Sequence, residues 1–334
     1  MTFGQYQELF IRFNHMNVLV IGDVMIDSYI FGKVDRISPE APVPVVAVKK
    51  RLNRLGGAAN VALNLKALGA NPYLCSLAGN DDKKAVLTSL MEENGLPDTG
   101  IVVSPDRLTT TKFRVIGNNV QMLRVDEEND HPLTETEFSL LLNKISSIIR
   151  EKRIDVIIFQ DYDKGCINER LIAEVVSEAK AAGIPVTVDP KKRNFRFYHQ
   201  VSLFKPNLKE LREGLQISVS ADHPDELEGA ALHLHQNYSI EHVMITLSEY
   251  GVFLSSYENG HQSTIIHPAF VRNIADVSGA GDTVISITSL CIASGIPQAS
   301  IALLANLAGG LVCESVGVVP VDKGKLLDEI RKIS

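Results

Sequence analysis

Cysteine is scarce in this chain, and the four present, Cys75, Cys166, Cys291 and Cys313, share no Cys-x-x-Cys spacing. Neither a disulfide framework nor a cysteine zinc site is indicated, and a reducing cytoplasm fits. Basic residues are in deficit: 33 Lys and Arg stand against 40 Asp and Glu, a formal net charge of −7. A general nucleic-acid binder needs the opposite balance, so no nucleic-acid partner is expected. The opening MTFGQYQELFIRFNHM lacks the basic start, apolar run and small-residue cleavage site of an export signal. One stretch, residues 283–313, lacks charge altogether and is long enough to span a bilayer. Gly295-Ile296-Pro297 interrupts it, and Gln298, Ser300 and Asn306 lie within it. Two buried helices of a soluble core are therefore expected, with no membrane partner.

What is present points to a large core: 334 residues, 45% of them hydrophobic. Length alone suggests about two domains, although one α/β domain reaches this size. Residues 18–23 (VLVIGD) form a short apolar run ending in Gly-Asp, the mark of a buried parallel strand that reaches an active-site edge. Helical spacing is read over 57–68, with Gly69 as C-cap, and over 82–93, closed by Asn94-Gly95. Further helices are expected over 135–150, 168–182, 279–293 and 297–314, and strands over 72–78, 154–159, 185–189 and 242–246. Strands alternating with helices at this spacing imply βαβ units and a largely parallel sheet.

Two segments break the rhythm. Residues 30–55 and 106–124 alternate as strands with no helix between, and Asn118-Asn119 suits a hairpin turn in the second. Together they hold ten Lys and Arg and only three Asp and Glu, so they carry +7 while the remaining chain carries −14. A small separate sheet with a basic face suggests an anionic ligand beneath it. Ordinary protection of edge strands by Lys and Arg gives the same pattern.

The sharpest motif is DVSGAGDT, residues 276–283, directly before an apolar helix. Gly279, Ala280 and Gly281 would present backbone N–H groups at a helix N-terminus, which favours a phosphate or a developing oxyanion. Asp282 in the same turn is placed as a general base beside that anion hole, the pairing needed to move a phosphoryl group to a hydroxyl. A plain N-cap Asp is the bland alternative. Asp27 lies just past the first strand, and Gly56, Gly57 and Asn60 stand at another helix start. Asp and Asn held at strand ends suit several sugar hydroxyls, though either side chain also caps helices.

Taken together, VIGDVMIDSYIFGKVDRISPEAPVPVV (20–46), GGAANVALNLKALGA (56–70), TKFRVIGNNVQMLRVD (111–126), QDYDKG (160–165), VDPK (188–191), KPNLKEL (205–211), TLSEYG (246–251) and DVSGAGDT resemble the ribokinase-like (PfkB) sugar kinases. The likeness runs over about residues 17–320 and is strongest to the D-glycero-D-manno-heptose 7-phosphate kinases, which include the kinase half of bifunctional ADP-heptose synthases. The Ser-Pro-Glu-Ala-Pro segment, residues 38–42, points to that branch.

The resemblance implies a three-layer α/β/α sandwich with a mostly parallel sheet and a small β-sheet lid, in one kinase domain over 1–334. It implies ATP-dependent phosphorylation of the anomeric hydroxyl of heptose 7-phosphate, a step toward ADP-heptose and the lipopolysaccharide core, in the cytoplasm. Asp282 matches the catalytic base, and Gly279, Ala280 and Gly281 the anion hole. Asp27, Gly56, Gly57 and Asn60 match sugar contacts. Lys112, Arg114 and Arg124 fall on the lid as candidates for the phosphate already on the substrate, and Asp161 and Lys164 end a central strand facing the cleft. Asn207 and Glu210 match an Asn-x-x-Glu motif near the nucleotide phosphates, with Glu210 on Mg²⁺ through water. Thr246, Ser248, Gly251 and Asn306 match the nucleotide side. A monovalent cation and a homodimer through exposed lid edges belong to the same expectation.

Three positions depart from the close relatives' pattern: Lys192 in place of Gly, Leu247 in place of Arg, and Val318 in place of Thr or Ala. All lie at or near ligand-facing turns, and each bears on substrate choice. A kinase for another sugar, phosphosugar or nucleoside, and a non-catalytic sensor, remain open readings. A nucleotidyltransferase is not expected, since no His-x-Gly-His motif occurs.

Overall fold

The computed structural model describes residues 1–333. Its central feature is a nine-stranded sheet running, edge to edge, through His261–His267, Val252–Glu258, His242–Thr246, Leu203–Phe204, Val186–Asp189, Val156–Gln160, Asn17–Gly22, Asn71–Gly79 and Ile101–Ser104. Pairing is parallel except at the His261–His267 edge, where a hairpin turning at Asn259-Gly260 adds two antiparallel strands. Side-chain alternation divides the core. Val18 and Val20 face the helices Phe3–Phe13, Ala58–Leu68, Ala280–Ala293 and Gln298–Val312, while Leu19 and Ile21 face Glu135–Glu151, Glu169–Ala182 and Pro224–Tyr238. Each fully buried Val or Ile contributes roughly 1.5–3 kcal/mol, so the two faces hold the sheet between layers.

Strand order places the site. From Asn17–Gly22 the chain proceeds to Asn71–Gly79 on one side and later to Val156–Gln160 on the other. In open α/β sheets that reversal leaves a crevice at the strands' carboxyl ends, where ligands bind. Gly22 and Gln160 are register partners at this crevice.

The expected helices and strands lie where their local signals put them. Gly69 caps its helix in the left-handed conformation, Asn168 caps Glu169–Ala182 by accepting from Leu171 N–H, and Asp82–Glu93 has the expected bounds. The charge-free stretch folds as Ala280–Ala293 and Gln298–Val312, broken at Gly295. Among the described residues no helix is long and apolar enough to cross a membrane. The N-terminal helix Phe3–Phe13 was not anticipated, although Thr2 and Gln5 form its capping box.

The two irregular segments do form a separate sheet, ordered Pro44–Gly57, Val24–Ile37, Thr111–Gly117, Val120–Glu127. Asn118 and Asn119 turn the hairpin with φ of 51° and 65°, the type I′ geometry that asparagine tolerates. The sheet's strands span 24–57 and 111–127 in place of the expected 30–55 and 106–124. Over 24–57 and 111–127 it holds nine Lys and Arg and five Asp and Glu. Its charge is therefore less one-sided than the sequence segments suggested. Arg107 does not belong to it at all. That side chain is buried, with Nε 2.7 Å from Glu137 Oε1 and Nη2 3.2 Å from Oε2.

Candidate active site

Asp282 sits in the first turn of Ala280–Ala293, 4% exposed, at the crevice between the two central strands. Its Oδ2 accepts from Asn60 Nδ2 at 2.7 Å, and Oδ1 accepts from Tyr162 Oη at 2.8 Å and Gln160 Nε2 at 3.1 Å. Burial pushes its carboxyl up to about 6, partly countered by the Asn60 and Tyr162 hydrogen bonds. A carboxyl held there is a base matched to neutral pH. Turnover is expected to fall about tenfold per pH unit below about 6, as Asp282 takes up its proton; kcat followed from pH 5 to 9 checks this. Gly279, with φ of 83°, is the N-cap, a conformation costly for any side chain. Ala280 N–H donates to the Val277 carbonyl at 3.3 Å. Gly281 and Asp282 amides lie in a first turn without intrahelical acceptors, so they are the donors this turn could offer an anion. Beside them, Asp189 and Lys205 form a buried ion pair at 3.0 Å.

Asn60, Gly56, Gly57 and Asp27 converge on the same crevice. Asp27 is buried and ion-paired to Arg114 across the small sheet. A side chain at Gly56 would put Cβ 2.4 Å from Asp27 Oδ2 and 2.9 Å from Met25 Cγ. Gly56→Ala is thus expected to displace Asp27 and raise the sugar KM about tenfold or more, a loss near 1.4 kcal/mol, with the nucleotide KM unchanged; steady-state kinetics in both substrates checks it.

The cations expected to meet the substrate's phosphate already have acidic partners. Lys112 Nζ lies 3.1 Å from both Asp126 and Glu128, Lys164 Nζ lies 2.6 Å from Glu128, and Arg124 grips Asp126 with Nε and Nη2, each at 3.0 Å. Sequence reasoning missed Asp126 and Glu128 as partners because they fall just past the segment judged basic. Asp161 is corrected more strongly. It is 1% exposed and does not face the cleft; its carboxylate accepts from Asn194 Nδ2 at 2.9 Å, Tyr198 Oη at 3.0 Å and Asp163 N–H at 2.9 Å. Alternation explains it: Gln160 and Tyr162 take the Asp282 side, so the residue between them points the other way. Burial, then the nearby Asp23 charge, pushes the Asp161 carboxyl up.

The nucleotide-side candidates form one contiguous group. Asn207 and Glu210 make a capping box at the start of Leu208–Leu215, Asn207 accepting from Glu210 N–H and Glu210 from Asn207 N–H, both at 2.9 Å. Glu210 is also ion-paired to Lys191. Asn207 bridges Thr246, whose strand leads to the turn of Ser248 and Gly251. Asn306 Nδ2 donates to the carbonyl of Pro268 at 2.6 Å and reaches His267, bordering the same turn. Of the departures, Lys192 is exposed, Leu247 is buried in the core, and Val318 packs near Gly279 while its carbonyl accepts from Arg54 Nη1 at 2.7 Å.

The pattern that defines the pfkB family of carbohydrate kinases matches residues 16–323. The chain belongs to that family. It is similar to "Bifunctional protein HldE" of Caulobacter vibrioides, 43% identical over 309 residues, covering 92% of this chain and 62% of that protein. The namesake of Methylobacillus flagellatus is 39% identical over 315 residues, covering 94% and 63%. The chain thus spans a little over three-fifths of these relatives' length. Among solved structures, phosphofructokinase-2 from Escherichia coli in complex with fructose-6-phosphate superposes with a TM-score of 0.76 at 19% identity, covering 95% of this chain and 99% of that one. Arabidopsis thaliana ribokinase, complexed with ribose and ATP, gives 0.69 at 17%, covering 93% and 98%. These likenesses show the ribokinase-like fold, and the family shows a carbohydrate kinase, with ATP as co-substrate and typically a divalent metal.

Proposed function

We propose that this kinase transfers the γ-phosphoryl group of ATP to the anomeric hydroxyl of D-glycero-D-manno-heptose 7-phosphate, giving the 1,7-bisphosphate, in the cytoplasm. The observation that carries the chemistry is the buried Asp282 carboxylate within the first turn of Ala280–Ala293, at the point where strand order reverses. The choice of heptose is supported by relatives at 36–43% identity that share the name HldE, together with the Ser38–Pro42 segment. On this reading Asp282 takes the hydroxyl proton, and the Gly279–Asp282 turn faces the negative charge of the moving group.

Among the described residues no cluster of three or more His, Cys, Asp or Glu is arranged to cage a metal. Mg²⁺ does not need one, since it keeps most of its water and binds largely through phosphates. The residues fit that mode. A Cβ at Gly281 would meet only Asp189 Oδ2 at 3.7 Å and Lys205 Nζ at 3.8 Å, so the turn offers an open cradle beside a cation. Glu210 would hold the Mg²⁺ through water, and the ion would neutralise phosphate charge when bound. Asn207, Thr246, Ser248, Gly251 and Asn306 would line the nucleotide. A monovalent cation belongs to the same reading, as Escherichia coli phosphofructokinase-2 has been solved with potassium.

Asp27, Gly56, Gly57 and Asn60 would hold the sugar, and the four-stranded sheet would act as a lid that excludes water and limits wasteful ATP hydrolysis. Lys112, Arg114, Arg124 and Lys164 would reach the substrate's phosphate by exchanging their present acidic partners. Their present pairing to acids favours a second reading, a kinase for another sugar. The lid's outer strand exposes Val120, Leu123 and Val125, which supports a homodimer through the lid. A phosphorylation screen of heptose 7-phosphate against fructose 6-phosphate, ribose and adenosine tests the substrate. Clear preference for heptose 7-phosphate is expected, and its absence overturns that assignment.

A further inference from the structure

Tyr162 and Gln160 had no role in the sequence reading, yet both reach the reacting carboxylate. Their placement follows from the chain. Gln160 is the last residue of a central strand, and Tyr162 returns to the same side two residues on. The loop that carries Tyr162 is not loose. Asp23, projecting from the end of the neighbouring strand, accepts from the backbone N–H groups of Tyr162 at 2.9 Å, Lys164 at 3.2 Å and Cys166 at 2.9 Å. Asp161, pinned behind by Asn194 and Tyr198, fixes the other side of the turn.

The Gln160 amide is oriented by its surroundings. Its Nε2 lies 3.1 Å from Asp282 Oδ1 and 3.2 Å from Asp189 Oδ2, two acceptors that only an NH₂ group can face. The Tyr162 ring carries Lys191 Nζ 5.5 Å from its centroid, and Lys191 is itself paired to Glu210 on the nucleotide side. The charged groups around the carboxylate are thus Asp189 and Lys205, with Lys191 and Asp27 around the tyrosine.

An ionised carboxylate has about four acceptor positions, two on each oxygen. Tyr162 and Gln160 take both on Oδ1, and Asn60 takes one on Oδ2. We propose that Gln160 and Tyr162 clamp Oδ1 of Asp282, so that Oδ2 is the oxygen that receives the substrate proton. The clamp rests on the reading of Asp282 as the base. In the step, the sugar O–H bond breaks and its proton goes to Oδ2. The freed oxygen pair forms the bond to the γ-phosphorus, and the β,γ-bridging oxygen leaves with the electron pair of the P–O bond, on ADP. Because both clamp groups donate to the ionised form, they also hold the carboxylate ready below the pH at which burial alone would protonate it.

Tyr162→Phe removes one donor and leaves the ring under Lys191; Gln160→Met removes the other at similar volume. Each variant is expected to move the acid limb of the kcat–pH profile up by about 0.5–1 unit, with the nucleotide KM unchanged and circular dichroism matching the wild type. The double variant should move it further. A merely structural role would lower the melting temperature or the active fraction and leave the limb in place. If Asp282→Asn is inactive and neither single variant moves the limb, the clamp falls and the base stands. If Asp282→Asn remains active, the base falls and the clamp with it.

Discussion

Asp282→Asn is expected to lower kcat by about 10³-fold, the usual worth of a positioned general base, while making the folded protein more stable at alkaline pH. The two effects share one cause. Burial raises the carboxyl from 3.8 to about 6, so the fold prefers its protonated form. That preference is fully present below the unfolded value and is lost as pH rises through about 6. Above it the ionised group is held against a penalty of about 3 kcal/mol, at 1.36 kcal/mol for each pH unit of displacement. Asparagine removes the charge. Its Oδ1 accepts from Gln160 and Tyr162 as before, while its amide faces the Asn60 amide and loses that bond, offsetting part of the gain. The stability difference between variant and wild type should therefore widen in the variant's favour from pH 4 to pH 8. Urea unfolding at several pH values, beside single-turnover rates, measures both halves. A variant that is less stable at pH 8, with no pH trend, would contradict the account of the buried carboxylate.

The second large effect lies away from the reacting atoms. Arg107→Ala is expected to cost about 3–5 kcal/mol, because it strands a buried carboxylate. Arg107 and Glu137 are both nearly inaccessible, and the guanidinium also donates to the carbonyls of Lys164 at 3.2 Å, His131 at 3.2 Å, Pro132 at 3.3 Å and Gly165 at 3.4 Å. Glu137 in turn accepts from Thr134 N–H and closes the capping box of Glu135–Glu151. Although burial pushes the Glu137 carboxyl up, the Arg107 pair and the Thr134 amide hold it at about 2. Its stabilisation is present above the unfolded value of about 4.5 and is lost as pH falls toward 2. Replacing both partners together, Arg107→Met with Glu137→Leu, should cost far less than the single change, since no charge is left unpaired. Unfolding free energies of the three variants decide it; a single-variant cost within about 1 kcal/mol, the range of an exposed pair, would show that the charges are solvated.

What was legible in the sequence was local. The Gly-Ala-Gly-Asp turn, the Asn118-Asn119 hairpin, the Asn168 cap and the break at Gly295 are short-range signals, because the backbone conformation each needs is set by the residues themselves. What was not legible depends on contacts between distant residues. Tyr162 and Gln160 lie more than a hundred positions from Asp282, and only the strand reversal brings them together. The charge of the small sheet was misjudged for a related reason: Lys112 pairs across a hairpin with Asp126, a partner visible only once the strand register is known. Arg107 reads as a surface cation in the sequence, and only its own burial and its six acceptors show otherwise. The Asn-x-x-Glu motif shows that one pair can serve two ends, since Asn207 and Glu210 cap a helix whatever else they bind.

The three amide bonds that converge on Asp23 have a kinetic consequence. The turn over residues 162–166 is wrapped around a charge supplied by a different strand, more than 130 positions away in the chain. It cannot take its shape until the two central strands have paired, and once they have, opening it exposes a buried carboxylate. Tyr162 is thus set in place late, together with the pairing of the two central strands. The site should therefore be lost by global unfolding rather than by local fraying, unlike the low-stability loops from which many ligand sites are built.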